Sequence, residues 1–413
     1  MHREHESGRR GSAGLRTILT GAVALALFVT LVALAPESLG ADRSSASSTA
    51  ITTTAPYTPA AARGAADLGP ETAAWLPYWS LATGLAGFSA GRAPLTSVSP
   101  FWFDVTSCGR IVTHASSRTA ADTVRRLRLR GVTVVPTLTA SGLDPARAVA
   151  CLGTARTREE HVAKILHLVR SGGYDGIDLD YEHLALTRNQ ASAGKVRVAL
   201  NSFVGSLCPR LQALGKQCIV TVMARTGGVT VGTGGTTSTT APTGSDGVWQ
   251  GTLSLDAYDY ATIGAAASRV RVMAYDEHTR RSPAGPIASY PWVQAVARYA
   301  TSLIPAEKLT LGIPSYGRDW SGGTARTLSR DQALTLARSL RVTPRWDPSA
   351  REYTFTYRAR GVRHTVWFPG TRGILERDRL ARSLGLGSVV WAAGLEPTDM
   401  WRTMRADRLG AGR

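Results

Sequence analysis

Residues 172–184 read GGYDGIDLDYEHL, which sets Asp175, Asp178, Asp180 and Glu182 among Gly, Ile, Leu and Tyr. Side chains alternate along a strand, so Asp178, Asp180 and Glu182 share one face, while Ile177, Leu179 and Tyr181 share the other. Carboxylates this close cannot all ionise comfortably; repulsion and desolvation raise at least one pKa. A carboxylic acid still protonated near neutral pH can give its proton to a leaving group. Glu182, outermost and with the longest reach, is the candidate donor. A calcium loop is excluded, because such loops space Asp and Asn around a Gly turn rather than placing Ile and Leu between carboxylates.

Moving outward, short apolar or β-branched runs alternate with helical patterns. The runs cover 74–80, 97–105, 133–140, 176–182, 218–225, 269–276, 309–317 and 388–394. Between them lie amphipathic stretches at 120–131, 158–173, 197–215 and 290–304, with spacings such as Val162, Ile165, Leu166 and Val169. Eight strands alternating with helices over this length predict an α/β fold, the (β/α)8 TIM barrel. A doubly wound open sheet is the alternative, but no GxGxxG follows the first strand. In a barrel the acidic strand aims its carboxylates inward, toward the mouth where barrel active sites sit. Two segments break the rhythm. Residues 226–245 are Gly/Thr-rich and are expected to form a mobile loop. Residues 318–376 exceed one connection and predict a small α+β insertion between strands seven and eight, with a helix and a hairpin turning at Ala359-Arg360-Gly361.

The motifs resemble those of glycoside hydrolase family 18, the chitinase-like family. DGIDLDYE (175–182) is similar to its DGxDxDxE signature. Met273-Ala-Tyr275-Asp276 resembles its MxYD, LTLGIPSYGRDW (309–320) its strand-seven motif, and GLGSVVWAAG (385–394) the strand-eight motif ending in an active-site Trp, here Trp391. The resemblance covers about residues 73–403. LPYWS (76–80), DAYDYATIG (256–264) and HTVWF (364–368) resemble the branch of spore-cortex and cell-wall N-acetylglucosaminidases, which act on peptidoglycan. One departure is on strand three, where Thr137-Leu-Thr-Ala-Ser-Gly142 replaces the SxGG often found there.

The resemblance implies a retaining hydrolase of β-1,4 bonds beside N-acetylglucosamine, using the substrate's own acetamido oxygen as nucleophile. By the same resemblance Glu182 protonates the glycosidic oxygen and then activates water. Asp180 orients the acetamido N–H, Asp178 shares a proton with Asp180, and Tyr275 holds the acetamido carbonyl. Trp391 stacks beneath the sugar, while Tyr78, Met273 and Asp276 line that subsite. No cofactor or metal is expected. The expected partner is a polysaccharide, peptidoglycan or chitin, and the expected state is a monomer. The rival from another class is a non-catalytic glycan-binding protein on the same fold; lectin-like relatives lose the proton-donor Glu, which is present here.

The rest of the chain frames this domain, expected at 71–413. Arg3, Arg9, Arg10 and Arg16 precede an uncharged run from Thr17 to Ala35. This reads as a signal peptide or membrane anchor within residues 1–40, placing the domain outside the cytoplasmic membrane, secreted or tethered. Residues 41–70 are rich in Ser, Thr, Ala and Pro and read as a disordered linker. The net charge of +18 comes from 48 basic residues, of which only Lys164, Lys195, Lys216 and Lys308 are lysine. No nucleic-acid motif accompanies it, so nucleic acid is not an expected partner, whereas an anionic wall polymer is. Cys108, Cys151, Cys208 and Cys218 allow three connectivities, and pairing of chain neighbours, Cys108–Cys151 and Cys208–Cys218, is the expectation.

Overall fold

The computed structural model describes residues 70–187, 189–227 and 255–410, with the short strands Thr230–Val231 and Thr237–Ser238. The expected export segment, the linker up to residue 69 and most of the Gly/Thr-rich stretch 226–245 lie outside the described residues. Among the described residues, no helix is long and apolar enough to cross a membrane.

Eight parallel staves are present: β1 Thr72–Pro77, β2 Ser97–Ser107, β3 Thr137–Thr139, β4 Gly176–Asp180, β5 Gln217–Met223, β6 Arg269–Met273, β7 Leu309–Pro314 and β8 Gly387–Trp391. They pair in the order β1-β8-β7-β6-β5-β4-β3-β2, and β2 pairs back with β1, so the sheet closes as a barrel. The stretch that reads as one third strand is broken: Thr133–Val134 and Thr137–Thr139 flank Pro136 and both pair with β2. Pro136 has no N–H for the ladder, which accounts for the interruption.

The helices cover the outer face. Helix Ala155–Ser171 is capped by Thr154, whose side chain accepts from the Thr157 N–H, and helix Gln190–Ala213 is capped in the same way by Asn189. Val162, Ile165 and Val169 are buried against the barrel, while Leu166 stays at the edge of that stripe. Burying such a side chain contributes roughly 1.5–3 kcal/mol each. The stripe thus holds the helix against the strand that carries the carboxylates.

The insertion is a five-stranded antiparallel sheet in the order Thr324–Ser329, Tyr316–Ser321, Val362–Phe368, Glu352–Ala359, Arg345–Asp347. Helix Arg330–Ser339 packs on one face through Ala333 and Ala337, against Leu328, Phe355, Val366 and Phe368. Its bounds correct the expected 318–376. The sheet begins at Tyr316 and ends at Phe368, and residues 370–383 form a barrel helix. The hairpin turns tightly at Arg360 and Gly361, with φ of 49° and 78° and with Ala359 still paired to Val362. Two successive positive φ values match the twist of the flanking strands, and Gly takes the second at no steric cost. The sheet's other face turns Tyr316 and Trp320 toward Ile287, Trp367 and Trp391, so the insertion walls one side of the barrel mouth.

Both expected disulfides are present, with Cα separations of 5.4 Å for Cys108–Cys151 and 5.2 Å for Cys208–Cys218. The first ties the turn after β2 to helix Pro145–Leu152. The second ties helix Gln190–Ala213 to β5.

Candidate active site

The carboxylates of β4 rise in sequence from the barrel interior to its mouth. Asp178 is fully buried. Its Oδ2 accepts from Trp75 Nε1 at 2.8 Å, Thr137 Oγ1 at 3.2 Å and Arg271 Nη1 at 2.8 Å, and its Oδ1 accepts from Thr221 Oγ1 at 2.7 Å. Thr137 stands opposite Asp178 in the β3–β4 register. The departure from the SxGG pattern therefore supplies a hydroxyl to the acid series. Thr139 and Ser141, in the same segment, instead hold the Asp104 carboxylate of β2.

Asp180 is the last residue of β4, only 5% exposed, and its Oδ1 has no hydrogen-bond partner. Burial, reinforced by the charges of Glu182 and Asp178, pushes its carboxyl well above the usual range. Glu182 departs from the expected strand. The ladder stops at Asp180, and Glu182 is in a helical conformation at φ −81°, opening the short turn His183–Ala185. It is partly accessible. Burial and the neighbouring Asp276 charge push its carboxyl up to about 7. On the opposite face of the segment, Tyr181 is anchored by a 2.8 Å hydrogen bond to His161 Nε2 and by stacking on Phe203. Burial holds His161 down at about 4, so that ring is neutral at physiological pH.

The other expected residues gather around these acids. Tyr275 lies just beyond β6, its ring edge-on to Trp75 and Tyr316. Burial, then the charge of Asp180, pushes its phenol well up, so it stays a hydrogen-bond donor. Gly312 of β7 makes room for it, since a Cβ there would meet Val272 O at 2.7 Å and Tyr275 Cε1 at 3.0 Å. Asp276 has a positive φ of 62° and is held by Arg318 Nη2 at 2.9 Å and by the Tyr316 hydroxyl, both from the insertion. Met273 ends β6 on the same side as Arg271, paired with Met223. Trp391 ends β8, its ring packed edge-on against Trp75 at 5.9 Å and Phe101 at 5.2 Å.

Tyr78 sits on the first turn after β1 but is stacked on His114 at 4.7 Å. Its neighbour Trp79, 47% exposed, is the residue that reaches Trp391, at 6.4 Å. Sequence reasoning passed over Trp79 and Phe101, and also Trp75, Thr221, Tyr258, Arg271 and Arg318. Tyr258, buried beside the acids, donates to Tyr181 O at 2.9 Å. One signal was available for Arg271: the run RVRVM puts two arginines on one face of an otherwise apolar strand. In sum, an acid protonated near neutrality stands over a buried acid with an unused acceptor, beneath an aromatic wall. Such a site can protonate a leaving group and hold an amide N–H.

The profile described as Glycosyl hydrolases family 18 matches residues 146–396. The chain is 27% identical over 267 residues to the Bacillus subtilis protein named Uncharacterized glycosylase YvbX, covering 63% of this chain and 69% of that one. It is 31% identical over 157 residues to the Cortical fragment-lytic enzyme of Bacillus anthracis, covering 36% of each. The chain spans between 33% and 69% of the length of the curated relatives it matches. In structure it is similar to a chitinase from Chromobacterium violaceum, with TM-score 0.67 and 24% identity over 81% of this chain and 98% of the other. The chain belongs to glycosyl hydrolase family 18.

Proposed function

We propose that this glycoside hydrolase cleaves β-1,4 bonds next to N-acetylglucosamine, with peptidoglycan glycan strands as the preferred polymer, and that it retains configuration through the substrate's own acetamido group. One arrangement carries the reading: burial and the Asp276 charge push the Glu182 carboxyl up to about 7, while the neighbouring Asp180 Oδ1 is buried with no hydrogen-bond partner among the described residues. Glu182 then protonates the glycosidic oxygen, and the Asp180 oxygen receives the acetamido N–H. Tyr275 donates to the acetamido carbonyl as it closes on the anomeric carbon, and Trp391 stacks beneath the sugar ring. Among the described residues, the neighbouring carboxylates Asp178 and Asp276 are not free to attack that carbon. Asp178 is committed to four donors and Asp276 to Arg318 and Tyr316. The expelled oxygen leaves with the Glu182 proton, and the resulting carboxylate activates water for the second step.

Peptidoglycan is favoured by the Cortical fragment-lytic relatives and by the basic charge of the chain. The uncharged run at 17–35 and the two disulfides fit an exported enzyme, cleaved or tethered, working as a monomer outside the cytoplasmic membrane. The test is release of reducing ends from purified peptidoglycan and from chitin oligosaccharides, with proton NMR of the first product. Fresh β-anomer from peptidoglycan is expected. Initial α-anomer, or turnover of sugars lacking the 2-acetamido group, would overturn the mechanism.

A further inference from the structure

The proposed reaction uses the mouth of the barrel and leaves its floor, the end where the parallel strands start, without a role. Among the described residues, five of the eight exposed large apolar side chains sit at that floor: Leu129, Leu214, Leu303, Leu384 and Leu409. Leu129, Leu214 and Leu384 are the C-cap residues of helices Ser117–Arg128, Gln190–Ala213 and Gly370–Ser383, and Leu303 follows the C-cap of helix Tyr290–Thr301. Each of the four stands a few residues before the next strand begins. Leu409 joins them from helix Met400–Gly410, whose Arg408 reaches Thr72 Oγ1 at 2.6 Å and Ser388 Oγ at 3.0 Å, at the starts of β1 and β8. Leu129 is 77% exposed and Leu409 64%. A single exposed leucine is ordinary, but a ring of them around one end is not.

Arginines alternate with this ring. Arg92, Arg402 and Arg405 line, together with Leu409, a shallow cavity of about 340 Å³. None of these three arginines has an ion-pair partner among the described residues. Arg130 crosses from the end of helix Ser117–Arg128 to Ser89 Oγ at 2.7 Å, and Arg170 lies in the last turn of helix Ala155–Ser171. The acids nearby are largely spent. Arg128 holds Asp175, Arg382 and Arg408 hold Asp378, Arg379 and Arg382 hold Asp407, and Glu71 is buried against Arg271, which leaves Glu307 exposed. Basic side chains at helix ends are favoured by the helix dipole alone. Exposed leucines are not, and the two together make a surface that is at once apolar and cationic.

That combination suits the interface of an anionic bilayer, where leucine enters the headgroup region and arginine meets phosphate. A hydrated wall polymer offers charge but no apolar layer to receive the leucines. The chain also enters the barrel at this end, since β1 starts at Thr72, and the uncharged run Thr17–Ala35 lies upstream of that entry in the sequence. We propose that the floor of the barrel docks on the surface of a membrane containing anionic phospholipid, so that the mouth and its carboxylates face away from the bilayer. Each arginine at such a surface strengthens binding roughly five-fold. The docking depends neither on the proton donor nor on which glycan is cut.

The test uses the full chain with one added cysteine carrying a nitrobenzoxadiazole label. The four native cysteines are all paired, so the added thiol is the one labelled. The label is placed at the floor, by Leu129→Cys or Leu384→Cys, or on the insertion hairpin at the mouth end, by Val362→Cys. Vesicles are made of phosphatidylcholine alone or mixed with phosphatidylglycerol, with and without a spin-labelled lipid. On phosphatidylglycerol vesicles both floor labels are expected to shift to the blue and to be quenched about two-fold or more by the spin-labelled lipid, while the hairpin label stays solvent-like. Salt at about 500 mM is expected to weaken the floor signal. Arg92→Gln/Arg402→Gln/Arg405→Gln, its fold checked by circular dichroism, is expected to return the floor labels to solvent-like emission. Floor labels that stay solvent-like on vesicles that retain the chain overturn the proposal, because residues 17–35 alone then hold it. Equal quenching at floor and hairpin, or floor labels that respond to membrane-free cell walls and not to vesicles, overturns it too. Loss of hydrolysis in Glu182→Gln, or its absence, bears on the functional reading and leaves these signals unchanged.

Discussion

On the proposed reading Glu182 is the proton donor, and two consequences follow from its environment. Glu182→Gln keeps the shape but removes the proton, so kcat should fall by about 10²–10⁴-fold or more. Binding of chitin oligosaccharides, followed by tryptophan fluorescence, should persist through Trp391 and Trp79. The same substitution should alter stability with pH. The folded-state carboxyl is raised to about 7 from an ordinary 4.5. Between these values the native state binds more protons than the unfolded chain, so stability falls as pH rises through that window. Removing the charge relieves this penalty, on the order of 1–3 kcal/mol. Thermal melts should show Glu182→Gln more stable than the parent at pH 8 and no more stable at pH 4. Equal melting shifts at both pH values would show that Glu182 is not raised. For the same reason, activity of the parent should decline as pH rises through about 7.

Among the elements, the insertion is coupled to the acids through Asp276, which Arg318 and Tyr316 both hold. Arg318, on its first strand, holds Asp276 and the His278 carbonyl. Arg318→Met leaves Asp276 without its cation, so the like charge beside Glu182 goes unbalanced and the alkaline limb of the pH profile should move upward. The cost in stability should be about 1–3 kcal/mol, below that of a fully buried pair because Asp276 is 32% exposed. A pH titration of kcat/KM against the parent checks the first effect and urea unfolding the second. This clasp was not legible in the sequence. LTLGIPSYGRDW reads as one strand and its tail, and nothing in it reveals that the chain turns after Pro314 and starts a new sheet at Tyr316. The end of the insertion was misjudged for a related reason: Gly370 and Gly373 weaken the start of helix Gly370–Ser383, so its apolar stripe only becomes periodic near Ile374. The barrel itself was legible because each strand carries a dense apolar run and each long helix a 3.6-residue stripe. The carboxylates were legible because charge inside such a run has few explanations. Arg271 was passed over because alternation of Arg with Val suggests a strand with one solvated face. Here both faces are enclosed, and the polar one points into the barrel.

At the scale of the molecule, one covalent and one electrostatic feature act across the fold. The Cys108–Cys151 disulfide closes a loop of 43 residues. The chain-entropy argument gives it up to about 4 kcal/mol of stability. The variant Cys108→Ser/Cys151→Ser should melt several degrees lower, by about 3–5 °C for a domain of this size. On the proposed reading, the electrostatic feature favours an anionic polymer as substrate. Residues 1–40 hold four arginines against Glu4, Glu6 and Glu37, so +17 of the net +18 lies beyond them. A cationic domain gains local concentration on an anionic polymer, and that gain disappears as salt screens it over a Debye length of about 8 Å at physiological ionic strength. Chitin is uncharged and offers no such attraction, so its hydrolysis should respond little to ionic strength. Side-by-side digestion of purified cell walls and colloidal chitin at about 20 and 300 mM salt should therefore show faster release from walls, with the advantage shrinking at the higher salt. A salt effect confined to KM on walls would place it in encounter with the polymer, whereas a change in kcat would place it in the acid series. Faster release from chitin at both ionic strengths would instead assign the enzyme to chitin, with the arginines serving some purpose other than holding the substrate.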